Sequence, residues 1–130
     1  MMRLLLDTHL WLWWHMDPGR IPAETKAAIA SVDSEVYLSA VSSWEMAIKI
    51  AAGKLQVPRP LEEMVPESLL ADDFRNLPLQ PHHCFELSRL PMHHRDPFDR
   101  MLIAQARAEH LTVVTADKQF RRYDASVLLV

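Results

Sequence analysis

Residues 3–14 read RLLLDTHLWLWW: a short apolar run, Arg3 to Leu6, stops at Asp7 and gives way at once to a second apolar-rich segment, Thr8 to Trp14. A short aliphatic run ended by a carboxylate has the pattern of a buried strand, and Thr8–Trp14 suits a helical turn or two. A strand without alternating polar positions must bury both faces, which is the situation in a parallel sheet covered by helices. The remaining chain must then supply further strands separated by helices.

It does so in order. PAETKAAIASV at 22–32 is expected to be a helix with proline at its start, VYLSA at 36–40 a second strand, and SSWEMAIKIAAG at 42–53 a helix ended by Gly53. The stretch VPRPLEEMVP at 57–66 holds three of the nine prolines and marks a connection. Beyond it, 61–71 is expected to be helical, 76–79 a short strand, 82–89 a helix and 97–110 a longer one with apolar Met101, Leu102, Ala104, Ala106 and Ala108. TVVT at 112–115 reads as a strand ended by Ala116 and Asp117, followed by a short helical segment through Phe120 and a last strand at 127–130. The expected fold class is α/β: three layers, α/β/α, with a short, mostly parallel central sheet flanked by helices.

The 130 residues, 49% hydrophobic and 24% charged, suit a single globular domain over 1–130. The lone cysteine, Cys84, has no partner for an internal disulfide, and the N-terminus lacks a signal-peptide pattern, so a cytoplasmic location is expected. The apolar stretch Leu10–Trp14 is far shorter than the ~20 residues of a membrane span, so no membrane partner is expected. A net charge of −3 argues against nucleic-acid binding through overall positive charge. Any such contact has to be local.

In a parallel sheet, side chains just past the carboxyl ends of strands line the ligand crevice. Asp7 and Asp117 have that placement. Each acid also has an ordinary explanation: Asp7 and Asp117 as caps, Ser42 and Glu45 as an S-x-x-E capping box, Asp96 as the cap before Pro97, and Asp99 as a first-turn anion. Taken together, Asp7, Glu45, Asp96, Asp99 and Asp117 are candidates to share one crevice. Two carboxylates ~4 Å apart repel by about 4 kcal/mol at an effective dielectric of 20. Several together call for a divalent cation or strongly raised pKa values. Oxygen ligands without a Cys or His cluster favour Mg²⁺ or Mn²⁺ over Zn²⁺, and phosphodiester hydrolysis is the chemistry such a site suits best.

Four stretches, LLLDTHLWLWW (4–14), SSWEMAIKIAAGKL (42–55), HHRDPFDRMLIAQA (93–106) and VVTADKQFRRY (113–123), together resemble the PIN-domain ribonucleases, in particular the VapC-type toxins of bacterial toxin–antitoxin pairs. The resemblance runs over essentially the whole chain. It implies a PIN-like fold and an acidic quartet, Asp7, Glu45, Asp99 and Asp117, that binds Mg²⁺ or Mn²⁺ and activates water to cut RNA. Asp96, one turn before Asp99, is left with two roles open, sharing the metal or capping the helix. Thr8, Ser42 and Thr115 are candidates to support the acids, each with a backbone cap as its simpler role. The resemblance also implies a homodimer and an inhibitory antitoxin protein.

Lys49, Arg95, Arg100 and Lys118, with Arg121 and Arg122, are candidate phosphate contacts, and His93 and His94 either touch RNA or stay in a loop. Trp11, Trp13, Trp14 and Trp44 are expected mostly in the core, with an interface as the alternative. Three other functions share parts of this pattern: an RNA-processing PIN nuclease outside toxin–antitoxin systems, a metal-dependent phosphatase and a catalytically silent binding module. Against the phosphatase, Asp7 is followed by Thr8 and His9, whereas a haloacid-dehalogenase-type site needs a second aspartate two residues on.

Overall fold

In the computed structural model, which describes residues 1–130, the opening segment forms strand β1 (Arg3–Leu6) and Asp7 caps helix α1 (Thr8–Met16). A 3₁₀ turn (Pro18–Arg20) and helix α2 (Ala23–Ala30) lead to strand β2 (Glu35–Ser39) and helix α3 (Ala40–Ala51). Helix α4 (Leu61–Ala71), strand β3 (Arg75–Leu77) and helices α5 (Pro81–Leu87) and α6 (Pro97–Glu109) follow. Strand β4 (Thr112–Thr115), a 3₁₀ segment (Lys118–Arg122) and strand β5 (Val127–Leu129) complete the chain.

The five strands lie in the order β3-β2-β1-β4-β5, and every pairing is parallel. Alternation along β1 divides the core. Leu4 and Leu6 pack with Leu10 and Trp11 of α1, Ile29 of α2, Met46 of α3 and Met64 of α4. Leu5 faces the other way, among Leu102, Ile103 and Ala106 of α6 and Phe120. All three leucines are fully buried, each contributing about 1.5–3 kcal/mol. A one-residue slip would invert both faces, so the register Leu4↔Val36 and Leu5↔Val113 is tightly specified.

Several boundaries differ from the expected ones. Helix α3 starts at Ala40, capped by Ser39, whose Oγ accepts the Val41 N–H at 3.0 Å. Ser42 and Glu45 therefore do not form a capping box. They sit inside the helix, three residues apart on its buried side. The C-terminal prediction for α3 holds: Gly53 adopts a φ of 71°, and Lys54 N donates to Lys49 O at 2.8 Å, a Schellman stop. Strand β3 ends at Leu77, one residue before Pro78, which has no N–H for the ladder. Trp11 is buried, Trp13 and Trp14 are half-buried, and Trp44 is 56% exposed on α3, outside the core where most of the tryptophans were expected.

The strand order reverses between β1 and β4. Crossovers lead away from that seam on both sides, opening a crevice at the carboxyl ends of the two strands. Leu6 is paired with Val114 there, which places Asp7 beside Thr115.

Candidate active site

Asp7 leaves β1 at this seam and is only 4% exposed. Its Oδ1 accepts the Leu10 N–H at 2.7 Å, and its Oδ2 accepts the Thr115 hydroxyl at 2.5 Å. Thr115 Oγ1 also accepts the Asp117 N–H at 3.0 Å, and Asp117 Oδ1 accepts the Gln119 N–H at 2.9 Å. One hydroxyl thus ties together the acids that end β1 and β4.

From the opposite wall, α3 presents Glu45, 1% exposed. Its Oε1 accepts the Thr8 hydroxyl at 2.7 Å and its Oε2 pairs with Lys49 Nζ at 2.5 Å. Ser42 Oγ lies 3.0 Å from Thr8 Oγ1, so all three hydroxyl residues expected near the acids are in place. Helix α6 brings Asp96 and Asp99. Asp96 is the N-cap, its Oδ1 accepting the N–H groups of Phe98 at 2.9 Å and Asp99 at 3.0 Å, and Pro97 takes the first helical position. Caps and site are therefore not alternatives: capping occupies one oxygen of Asp7, Asp96 and Asp117, anchoring each carboxylate at the crevice.

The electrostatics record the convergence. Burial, and then the charges of Asp96, Asp7, Glu45 and Asp117, push the Asp99 carboxyl up to about 8. Asp7 is also raised, chiefly by burial, against the lowering effect of its hydrogen bonds from Thr115 and Leu10. The Lys49 ammonium is held above its ordinary range by Glu45, with smaller contributions from Asp96 and Asp99. One lysine does not balance five carboxylates. The donors are all hard oxygens, the set that suits Mg²⁺ or Mn²⁺.

The basic candidates separate. Arg100 is no phosphate contact: it is 8% exposed, and its Nη1 donates to Pro91 O at 2.8 Å and Tyr123 OH at 3.1 Å. Its position in the fourth residue of α6 turns it into the protein while Asp99 faces the crevice. Arg95 and Lys118 are exposed, and Lys118 lines an open hollow of about 620 Å³ with Asp117, Gln119 and Arg122. Arg122 also donates to His93 O at 2.8 Å, which ties the 3₁₀ segment to the loop before α6.

Sequence reading left His94 undecided and passed over Tyr123. His94 Nε2 lies 3.7 Å from Asp99 Oδ2, and its Nδ1 is 2.8 Å from Tyr123 OH. Burial pushes the His94 imidazole down from its ordinary range. A second histidine group, His82 and His83 beside Glu109, is an unsuitable cation site. His83 Nδ1 accepts the Gln80 N–H at 3.0 Å, which puts the ring proton on Nε2, already donated to Glu109 at 2.9 Å.

The model of the PIN domain matches residues 4–126. The chain belongs to the PIN-domain family. This PIN domain is 28% identical over 124 residues to Ribonuclease VapC22 of Mycobacterium tuberculosis, an alignment covering 95% of this chain and 93% of the relative. Its fold superposes on a chain of VapBC2 from Rickettsia felis, solved bound to a DNA fragment from their promoter, with a TM-score of 0.74 at 12% identity over 99% of both chains. A chain of DNA-bound VapBC from Salmonella typhimurium gives 0.69 at 15% identity over 98% of both. At such identities the solved structures speak for the PIN fold alone. The carboxylate geometry comes from this chain.

Proposed function

We propose that this PIN domain is a divalent-metal-dependent endoribonuclease and the toxin of a toxin–antitoxin pair. The observation that carries the nuclease reading is the assembly of Asp7, Glu45, Asp99 and Asp117, with Asp96 beside them, at one end of the sheet, where Asp99 is pushed up to about 8 by burial and by the other four. Like charges gathered around the buried pair Asp7 and Glu45 are costly unless a cation compensates them. The ribonuclease relative, aligned over nearly the whole chain, supports RNA as the substrate. The VapBC structures support an antitoxin partner.

In this reading Asp7 and Asp99 hold Mg²⁺ or Mn²⁺, with Glu45 and Asp117 completing the set. Such an ion supplies Lewis acidity, polarising a phosphoryl oxygen and making a water molecule more acidic. In the hydrolysis this would serve, water forms the new P–O bond, one ester P–O bond breaks, and the proton that water gives up ends on the leaving oxygen. The chain's own residues keep the carboxylates fixed so that little reorganisation accompanies the reaction. Thr115 and the α1 amide hold Asp7, and Thr8 and Lys49 hold Glu45 from opposite sides. Lys118 and Arg95, exposed and free of ion pairs, are the phosphate contacts, and the homodimer that the family resemblance implies is the active form.

Mn²⁺ calorimetry and cleavage of an end-labelled RNA panel test this together. Asp7→Ala and Asp99→Ala are expected to lose both Mn²⁺ binding and cleavage. A folded wild-type protein that binds no Mn²⁺ at millimolar concentration overturns the metal-nuclease reading. Sedimentation with and without a co-expressed antitoxin checks the dimer and the partner.

A further inference from the structure

Asp99 is the one carboxylate of the five whose oxygens accept no hydrogen bond. Asp7 and Glu45 each use both oxygens, and Asp96 and Asp117 each use one. The one basic side chain within ion-pair distance of Asp99 is His94, at 3.7 Å. His94 Nε2 is in turn the single buried side-chain nitrogen or oxygen in the protein without a hydrogen-bond partner. An unmatched acceptor and an unmatched donor face each other across the start of α6.

The proton on the His94 ring follows from its neighbours. Tyr123 OH accepts the His94 backbone N–H at 3.2 Å and the Arg100 Nη1–H at 3.1 Å, which fills both of its lone pairs. Its own hydrogen therefore goes to His94 Nδ1, 2.8 Å away. By this network the ring is neutral, with Nδ1 accepting and the proton on Nε2, aimed at Asp99.

We propose that His94 is a positioning residue of the metal centre: Tyr123 fixes its ring as the Nε2–H tautomer, and that N–H is the hydrogen bond Asp99 takes when it serves as a metal ligand. The inference rests on the reading of Asp99 as a metal ligand. At 3.7 Å the pair is too far apart for a hydrogen bond, so the proposed bond forms only as the two side chains close that gap. A neutral donor suits the task, since it orients the carboxylate without cancelling the charge that the cation needs. Arg100 thereby acts through two intermediaries: it occupies a Tyr123 lone pair, Tyr123 sets the His94 tautomer, and His94 faces the ligand.

Two measurements test this. Long-range ¹H–¹⁵N spectra of the metal-free wild-type protein report the His94 tautomer, and Mn²⁺ isotherms with thermal melts compare wild type, His94→Gln and His94→Phe. The Nε2–H form is expected. His94→Phe is expected to weaken Mn²⁺ binding about 10- to 100-fold, the usual range for hydrogen-bond partners of metal ligands, while His94→Gln, which keeps a donor near the Nε2 position, recovers most of it. An Nδ1–H tautomer overturns the inference, as does a folded His94→Phe protein with wild-type Mn²⁺ affinity, the signature of a merely structural histidine. Wild-type protein that binds no Mn²⁺ defeats the metal reading itself, an outcome distinct from wild-type binding that His94→Phe leaves unchanged.

Discussion

Thr115, buried at the end of β4, donates its hydroxyl to Asp7 Oδ2 at 2.5 Å, joining residues 108 apart in the chain. Thr115 Oγ1 in turn accepts the Asp117 N–H, so the two strand-end acids share one anchor. Thr115→Val keeps the shape and removes the anchor. It is expected to cost about 1–3 kcal/mol, the range for leaving buried polar groups unpaired, and to weaken Mn²⁺ binding at least tenfold. Chemical denaturation and calorimetry on one preparation check both.

Asp99 predicts an unusual pH dependence for the metal-free protein. Its folded pKa, about 8, lies above its unfolded value, so between roughly pH 4 and 8 the folded state binds more protons and stability falls as pH rises. Asp7 is shifted the same way. Melts should show the thermal midpoint climbing on acidification from pH 8 towards 6.5, with stability changing by at most about 1.4 kcal/mol per pH unit for one group; below that range His15 and His94, both shifted downward, oppose the gain. Asp99→Asn should flatten that slope. Glu35, Glu67 and Glu109 are shifted downward, so their contribution is lost only below the ordinary carboxylate range, outside this window.

Metal binding should also release a proton. With Asp99 protonated in the metal-free state near pH 7, titrations in buffers of different ionisation enthalpy are expected to show close to one proton released per Mn²⁺ at pH 6–7, falling through about half near pH 8 and nearly gone by about pH 9. Asp99→Asn removes this proton along with the affinity.

Asp96 carries both a cap and a charge, and two substitutions separate them. Asp96→Ala loses the bonds to Phe98 and Asp99 and should destabilise the fold by about 1 kcal/mol. Asp96→Asn is itself a good cap, so its midpoint should stay near wild type. Its Asp99 carboxyl should titrate lower, because Asp96 is the largest charge raising it. An unchanged Asp99 titration in Asp96→Asn would show that the charge of Asp96 does not reach the site.

The arginines near the site should part company. Arg100→Met removes two charge-assisted hydrogen bonds from a buried position and should destabilise by about 2–3 kcal/mol. Arg95→Ala and Lys118→Ala should leave the melt unchanged. Each is instead expected to weaken RNA binding uniformly and lower the salt slope by about one, read from binding at several salt concentrations.

Local chemistry made much of this protein legible. Leu4–Leu6 ending at Asp7, the proline at the start of α6 and the glycine after α3 each follow from backbone geometry and from the period of apolar residues. The alternation of strands and helices then leaves few arrangements other than a parallel sheet. Asp7 and Asp117 could be named from strand ends and Asp96 and Asp99 from a helix start, while the quartet itself, with Glu45 inside α3, followed from the resemblance to the PIN-domain ribonucleases. The sequence misplaced the cap of α3, assigning it to Ser42, because S-x-x-E is equally at home inside a helix whose first turn is fixed by Ser39 and by its bond to Gln105 on α6.

What only the tertiary structure decided was which polar atoms remain free once packing has used the others. Arg100 and Arg95 look alike in the sequence, yet one is locked under Tyr123 and the other is in solvent. Asp96 and Asp99 look alike too, yet one has a capped oxygen while the other meets only an unpartnered histidine. Sequence spacing fixes which side chains share a face of one element. Hydrogen-bond partners drawn from α3, α6, β4 and the segment after it depend on how those elements dock, and burial alone raises the cost of leaving a donor or a charge unmatched.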